Sequence, residues 1–184
     1  MSGKSDPGRD RHWRDPLNLE PLPDSAPHVA AIAYWARALA HARSGQPDLA
    51  GADVAQLDLC ETRARASGDD YWTTQISILS REARAWSANS TAHFEEAVTL
   101  LRAAADAEDA LEKLPVTPGP IIPAREQLGQ LLLDLHRPVE ALRELTQALK
   151  DAPGRRSGLE AAIRAADGAG DPNAAAAFRK QLAT

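Results

Sequence analysis

Small residues recur along this chain at intervals that stacked helices require. The sharpest instance is Leu128-Gly129, followed by Ala141, Leu145, Ala148 and Pro153. Where two helices cross, one must present a side chain small enough for the backbones to approach. Ala50, Ala97, Ala141 and Ala175 stand at such places, each near the start of a helix-forming run. Twelve residues before them are Ala38, Ala85, Gly129 and, as the weaker match, Ile163. Gly45 and Gly170 fall five residues before a marker, where a left-handed helix end is expected. Pro47, Pro138 and Pro172 open the following helix, where a missing N–H costs nothing. The pattern predicts successive helix–turn–helix pairs.

The spacing of the markers sets their register. Ala141 to Ala175 is 34 residues, Ala50 to Ala97 is 47, and Ala97 to Ala141 is 44. The last two pairs therefore share a period, while two insertions of about a dozen and about ten residues break the first half. The first includes SGDDYW, in which Gly68 can end one helix and Asp69 or Asp70 can cap the next. The second is LPVTPGPIIP, which no helix traverses. Helices are expected over about 28–44, 47–66, 70–89, 92–112, 122–136, 138–151, 155–169 and 172–182.

Composition agrees. Aromatic residues make up 4% of the chain, and alanine supplies much of the 43% hydrophobic content, as suits closely packed helices. No run alternates with period two, so strands are not expected. Residues 1–27 carry Pro7, Pro16, Pro21, Pro23 and Pro27 among mixed charges, and read as a disordered or loosely docked arm onto which Trp13 could fold. Residues 28–184 form the helical repeat domain.

The same numbers bound the function. A formal net charge of −5 without a basic stripe argues against a nucleic-acid partner. From Gly45 to Glu112 there are thirteen acidic residues against five arginines, which reads as a solvated acidic face or as steering toward a basic partner. Cys60 is the only cysteine, which leaves no disulfide framework and reads as a small buried apolar side chain. No apolar run approaches the ~20 residues a bilayer span needs, and the N-terminus lacks an apolar signal core. A cytoplasmic location is the expectation. There is no glycine-rich phosphate loop, His-Glu-x-x-His, GxSxG or CxxC. The five histidines, His12, His28, His41, His93 and His136, have no histidine neighbour at helical spacing. Neither catalysis, a cofactor nor a metal is expected. His93 ahead of Glu95 and Glu96 reads as a helix start favoured by the dipole.

The offsets around Gly129, Ala141, Ala148 and Pro153 resemble those of a tetratricopeptide repeat. That resemblance implies an all-α, right-handed α-solenoid of about four helix–turn–helix pairs that binds a protein or peptide on the face built by each first helix. Projected onto this chain, the family's face offsets fall on Ile32, Trp35, Leu39, Leu79, Glu82, Trp86, Asn89, Glu126, Gln130, Leu133, Glu160 and Arg164. Trp35, Leu39, Glu82, Trp86, Glu126, Gln130 and Arg164 are the candidate partner-binding residues. Trp35 and Trp86 carry two readings, an anchor on the groove or filling between alanine-rich helices. The carboxylate clamp of the family's chaperone-tail receptors would fall on Trp35, Leu39, Ala83, Pro123 and Gln127, where its cations are missing.

Residues from about 29 to 184 also resemble the C-terminal region of bacterial tetratricopeptide proteins of unassigned function. The carrying strings are YWARALAHARSGQPDLAGADVAQL, GDDYWTTQISI, LLRAAADAEDALEKLPVTPGPIIPAREQLGQLLLDLHRPVEAL and AAIRAADGAGDPNAAAAFRKQL. The middle one is similar to a family segment of the form EDATEKHPVTPG. This chain keeps Glu108, Asp109, Glu112, Lys113 and the run Pro115 to Gly119, Thr117 included, but has Leu111 and Leu114 where that group tends to have Thr and His. Glu108 and Glu112 share a helix face, and Asp109 is spaced to pair with Lys113. Glu108, Asp109, Glu112, Lys113 and Thr117 are thus candidates either for a helix stop with a rigid crossover or for a loop site. The longer relatives carry an HMPSHI-like segment upstream that this chain lacks. The expectation is a non-catalytic protein–protein interaction scaffold. The alternative is a C-terminal structural module of a larger protein whose catalytic or ligand-binding part lies elsewhere. A solenoid end left uncapped also predicts a homodimer through the first or last helix pair.

Overall fold

The structure is a computed structural model, and it describes residues 15–111 and 119–183. Among these the chain is all-helical, with eight α-helices, one 3-10 turn and no strand. The helices are α1 (Pro27–Arg43), α2 (Pro47–Ala66), α3 (Asp70–Ser90), α4 (Phe94–Ala110), α5 (Ala124–Asp134), α6 (Pro138–Asp151), α7 (Arg156–Ala169) and α8 (Pro172–Leu182). The 3-10 turn spans Asp15–Asn18. Two compact units divide the chain, residues 1–100 and 101–184, so the division falls within α4.

One turn design recurs five times. A residue in the left-handed region ends the helix: Gly45 (φ 72°), Gly68 (73°), Ala92 (63°), His136 (57°) and Gly170 (72°). The next residue donates its N–H to a carbonyl five positions back: Gln46 to His41, Asp69 to Ala64, His93 to Ala88, Arg137 to Leu132 and Asp171 to Ala166. These bonds close the Schellman form of helix end, and the following helix begins one residue later. Proline at N1 opens α2, α6 and α8. Asp69 and Asp171 cap α3 and α8 through side-chain bonds to the N–H of Trp72 and Ala174. Glu95 and Glu96 occupy the first turn of α4, against its positive dipole end.

This turn also moves two expected boundaries. Helix α4 starts at Phe94 rather than 92, because Ala92 is left-handed. Helix α5 ends at Asp134 rather than 136, because His136 is left-handed, and it starts at Ala124 because Pro123 holds extended backbone at φ −54°, ψ 136°. The first insertion is taken up by the helices expected over 47–66 and 70–89. Only Ser67, Gly68 and Asp69 separate α2 from α3, and the added residues lengthen helices: α2 has 20 and α3 has 21, against 14 each in α6 and α7.

In the first unit α1 packs on both α2 and α3, α2 packs on α3, and the 3-10 turn lies against α1. Trp35, Leu57, Ile76, Ile78 and Trp86 form its buried interior with Ala31, Ala38, Ala50 and Ala85. The segment after the 3-10 turn is part of this unit: Arg37 of α1 bonds the Leu19 carbonyl at 3.4 Å and the Glu20 carboxylate at 3.0 Å. Trp13 lies outside the described residues.

In the second unit α5 packs on α6 and α7, α6 on α7, and α7 on α8. Leu101, Leu128, Leu131, Leu132 and Leu145 are fully buried. Gly129 is where α5 meets α6: a Cβ there would collide with the Leu145 side chain. Fully burying one leucine contributes roughly 1.5–3 kcal/mol, so the contact that Gly129 permits is among the stronger ones available to short helices.

Candidate functional site

The residues projected onto the first-helix face divide by unit. In the first unit Trp35 (4% exposed), Leu39 (2%), Glu82 (1%) and Trp86 (3%) are all buried. Trp35 Nε1 donates to Glu82 Oε2 at 2.6 Å, across 47 residues of sequence. That is the marker spacing of this half, so the bond joins equivalent positions of α1 and α3. The Arg43 guanidinium lies 3.9 Å from the centre of the Trp86 ring and covers it. Both tryptophan rings are therefore buried between helices, where the filling reading puts them and an exposed groove anchor would not be. The physical reason is the pairing itself, since an indole N–H and a carboxylate that satisfy each other can be buried together.

In the second unit the projected residues lie closer to solvent. Arg164 of α7 donates to Gln130 Oε1 of α5 at 2.7 Å, across 34 residues, the period of this half. Gln130 also donates to Asp134 at 3.1 Å. Glu126 is buried and accepts from Arg155 Nε at 2.5 Å, while Arg155 Nη2 donates to the Ile121 carbonyl at 2.9 Å. Arg164 and Glu160 are exposed and Gln130 is half-buried, so α5 and α7 present a polar face.

Of the string ahead of α5, Glu108 and Asp109 are described, and Glu112, Lys113 and Thr117 lie outside the described residues. Glu108 Oε2 accepts the N–H of Ala124 at 3.2 Å, an orphan donor at the start of α5. Asp109 accepts from Arg125 Nε at 3.0 Å and Nη2 at 2.7 Å. Arg125 also bonds Asp106 at 2.9 Å and Glu144 at 2.5 Å, so one guanidinium collects carboxylates from α4 and α6. These hydrogen bonds, against the opposing effect of burial, hold the Arg125 guanidinium more firmly protonated than usual. The Glu108-Asp109 pair thus holds the first two residues of α5. Arg102, Arg125, Arg143 and Lys150 line a cleft of about 590 Å³ beside this network, together with Asp106 and Glu144. Four cations face two carboxylates in that lining, which leaves it a formal excess of positive charge.

A second ionic cluster lies in the first unit. Asp53 of α2, 2% exposed at its side chain, bonds Arg37 of α1 at 2.8 Å and stands 3.6 Å from His41 Nε2. His41 Nδ1 lies 2.8 Å from Gln46 Oε1. Burial pushes the Asp53 carboxyl above its ordinary range, against the opposing pull of Arg37 and His41. Asp53 sits three residues after the marker Ala50, a position on the packed face of α2 that could have been flagged from the repeat alone. Cys60 is buried, and burial raises its thiol pKa. Among the described residues no group of three or more His, Cys, Asp or Glu could hold a metal ion. No described helix is long and apolar enough to cross a membrane.

No protein-family model matches the chain, and comparison with curated proteins and with solved structures returns no match either.

Proposed function

We propose that this chain is a non-catalytic protein–protein interaction scaffold of the tetratricopeptide type, a right-handed solenoid of about four helix pairs that takes a protein or peptide partner. One observation carries the reading. Hydrogen bonds join residues a full marker spacing apart, Trp35 to Glu82 across 47 residues and Gln130 to Arg164 across 34. Contact between equivalent positions of successive pairs is what stacked repeats produce, and stacked first helices build a continuous face. Because Trp35 and Trp86 are buried, the face available to a partner is the polar one of α5 and α7, carried by Gln130, Glu160 and Arg164.

The test is affinity capture with the full chain, compared with a Gln130→Ala/Arg164→Glu variant of unchanged thermal midpoint. Surface substitutions of this kind usually cost within ~0.5 kcal/mol, so folding is not at stake. A protein retained by the parent chain and lost by the variant is the expected result. Identical captured sets would count against this face.

A further inference from the structure

The cleft beside Arg125 lies wholly within the second unit. One wall carries Arg102 of α4, and the other carries Arg143, Gln147 and Lys150 of α6. The α6 residues are spaced four and then three apart, so they share one helix face. Arg125 bonds Asp106 of α4 and Glu144 of α6, which ties the two walls together before any ligand arrives.

The four cations differ in what they have left to offer. Arg125 is committed: both carboxylates of the lining accept from it, and Asp109 outside the lining does the same. Arg102 is short of acceptors. Its Nε is buried without a hydrogen-bond partner, and Glu140, the carboxylate it pairs with, stands 3.9 Å away and is held by Arg137 at 2.7 Å. Buried donors are normally satisfied, so such a guanidinium on a cleft wall marks unused bonding capacity. Arg143 is 71% exposed at its side chain, and it pairs with its sequence neighbour Glu144, which Arg125 already engages. Lys150 is exposed and makes no ion pair among the described residues.

Charge and size then select the ligand. Four cations against two carboxylates leave the lining a formal excess of two positive charges. A single carboxylate would half neutralise it, whereas a phosphomonoester, at about −1.5 to −2 near neutral pH, matches it. Guanidinium forks fit phosphate oxygens in pairs, and a lysine adds a point charge. A volume of about 590 Å³ suits a small organic group rather than a bare ion. The rest of the unit does not oppose an anion: residues 101–184 hold eleven Lys and Arg against twelve Asp and Glu, so most of the chain's negative charge lies before them.

We propose that this cleft binds the phosphomonoester group of an organic ligand, held by Arg102 from α4 and by Arg143 and Lys150 from α6. Gln147, on the same face of α6, adds neutral N–H donors. The site shares no residue with Gln130, Glu160 and Arg164, so its failure leaves the partner test above unaffected.

The experiment titrates the full chain into two probes, a blocked tripeptide with a central phosphoserine and glycerol phosphate, and follows the phosphorus NMR linewidth. The parent chain should broaden the signal of at least one. Lys150→Gln changes an exposed side chain and leaves the fold intact. It and Arg102→Gln, the latter read at matched thermal midpoint, should each weaken binding by roughly tenfold, the worth of one charge-assisted hydrogen bond. Arg179→Gln removes a cation outside the lining and should change nothing. Tighter binding of the peptide assigns the ligand to a phosphorylated protein, and tighter binding of glycerol phosphate assigns it to a free phosphate ester. No broadening with either probe would overturn the proposal. So would unchanged binding in Lys150→Gln or in Arg102→Gln, or an equal loss in Arg179→Gln, which marks diffuse surface charge rather than a site.

Discussion

At Gly129 the backbone of α5 runs so close to α6 that any Cβ would enter the space of Leu145. Gly129→Ala should therefore destabilise the chain by about 1–3 kcal/mol, the usual cost of overpacking. Gly51, also helical, has nothing within 4 Å of an added Cβ. Gly51→Ala should stabilise by about 1 kcal/mol through helix propensity alone. Urea midpoints of the two variants should move in opposite directions, and equal shifts would mean that the Gly129 crossing relaxes freely. Asp53 makes a different kind of prediction. Its carboxyl is raised chiefly by burial, so the folded state holds that proton more tightly than the unfolded chain does. Stability from this group is present at low pH and is lost as pH rises through the raised value. The advantage of the parent over Asp53→Asn should accordingly grow as pH falls from neutral toward about 4, the ordinary carboxylate range. A difference independent of pH would show that Arg37 offsets the burial completely. Site residues were only partly legible at this scale. Glu82 reads as a polar residue on a face, yet it is buried because Trp35, 47 positions earlier, donates to it.

Helices and turns were the most legible level. The left-handed ends at Gly45, Gly68 and Gly170 follow from glycine itself, and the proline starts of α2, α6 and α8 follow from its missing N–H. The same turn at Ala92 and His136 carries no glycine and so leaves no local mark. That is why the adjoining boundaries of α4 and α5 were read about two residues too long. The absence also makes these turns improvable. Ala92→Gly and His136→Gly should each raise stability by about 1 kcal/mol, since an L side chain in the left-handed region costs about that much. Thermal midpoints would check this. A fall in either variant would mean that the side chain makes contacts worth more than the strain. Thirteen extra residues between Ala50 and Ala97, relative to the later period, fall in the long helices that Gly68 and the Asp69 cap delimit in the sequence. The junction between them is only Ser67–Asp69, because the Schellman bonds leave no chain to spare.

Across the whole molecule, periodicity located the helix pairs, while ionic pairing between elements stayed hidden. Arg125 gathers Asp106, Asp109 and Glu144 from segments on either side of a proline-rich stretch, and Arg37 reaches back to Glu20 and across to Asp53. Nothing in spacing alone selects one arginine among many for such a place, because a guanidinium finds its partners only once the helices have met. Composition, by contrast, differs visibly along the chain. Trp13, Trp35, Trp72 and Trp86 all precede residue 100, and the only aromatic residue from 101 onward is Phe178. The burial of Trp35 and Trp86 thus gives the molecule a built-in optical asymmetry: ultraviolet emission reports the state of residues 1–100, whereas the helical dichroism near 222 nm sums over every turn of both units. A denaturation followed by both signals at once would read one half against the whole without any added label.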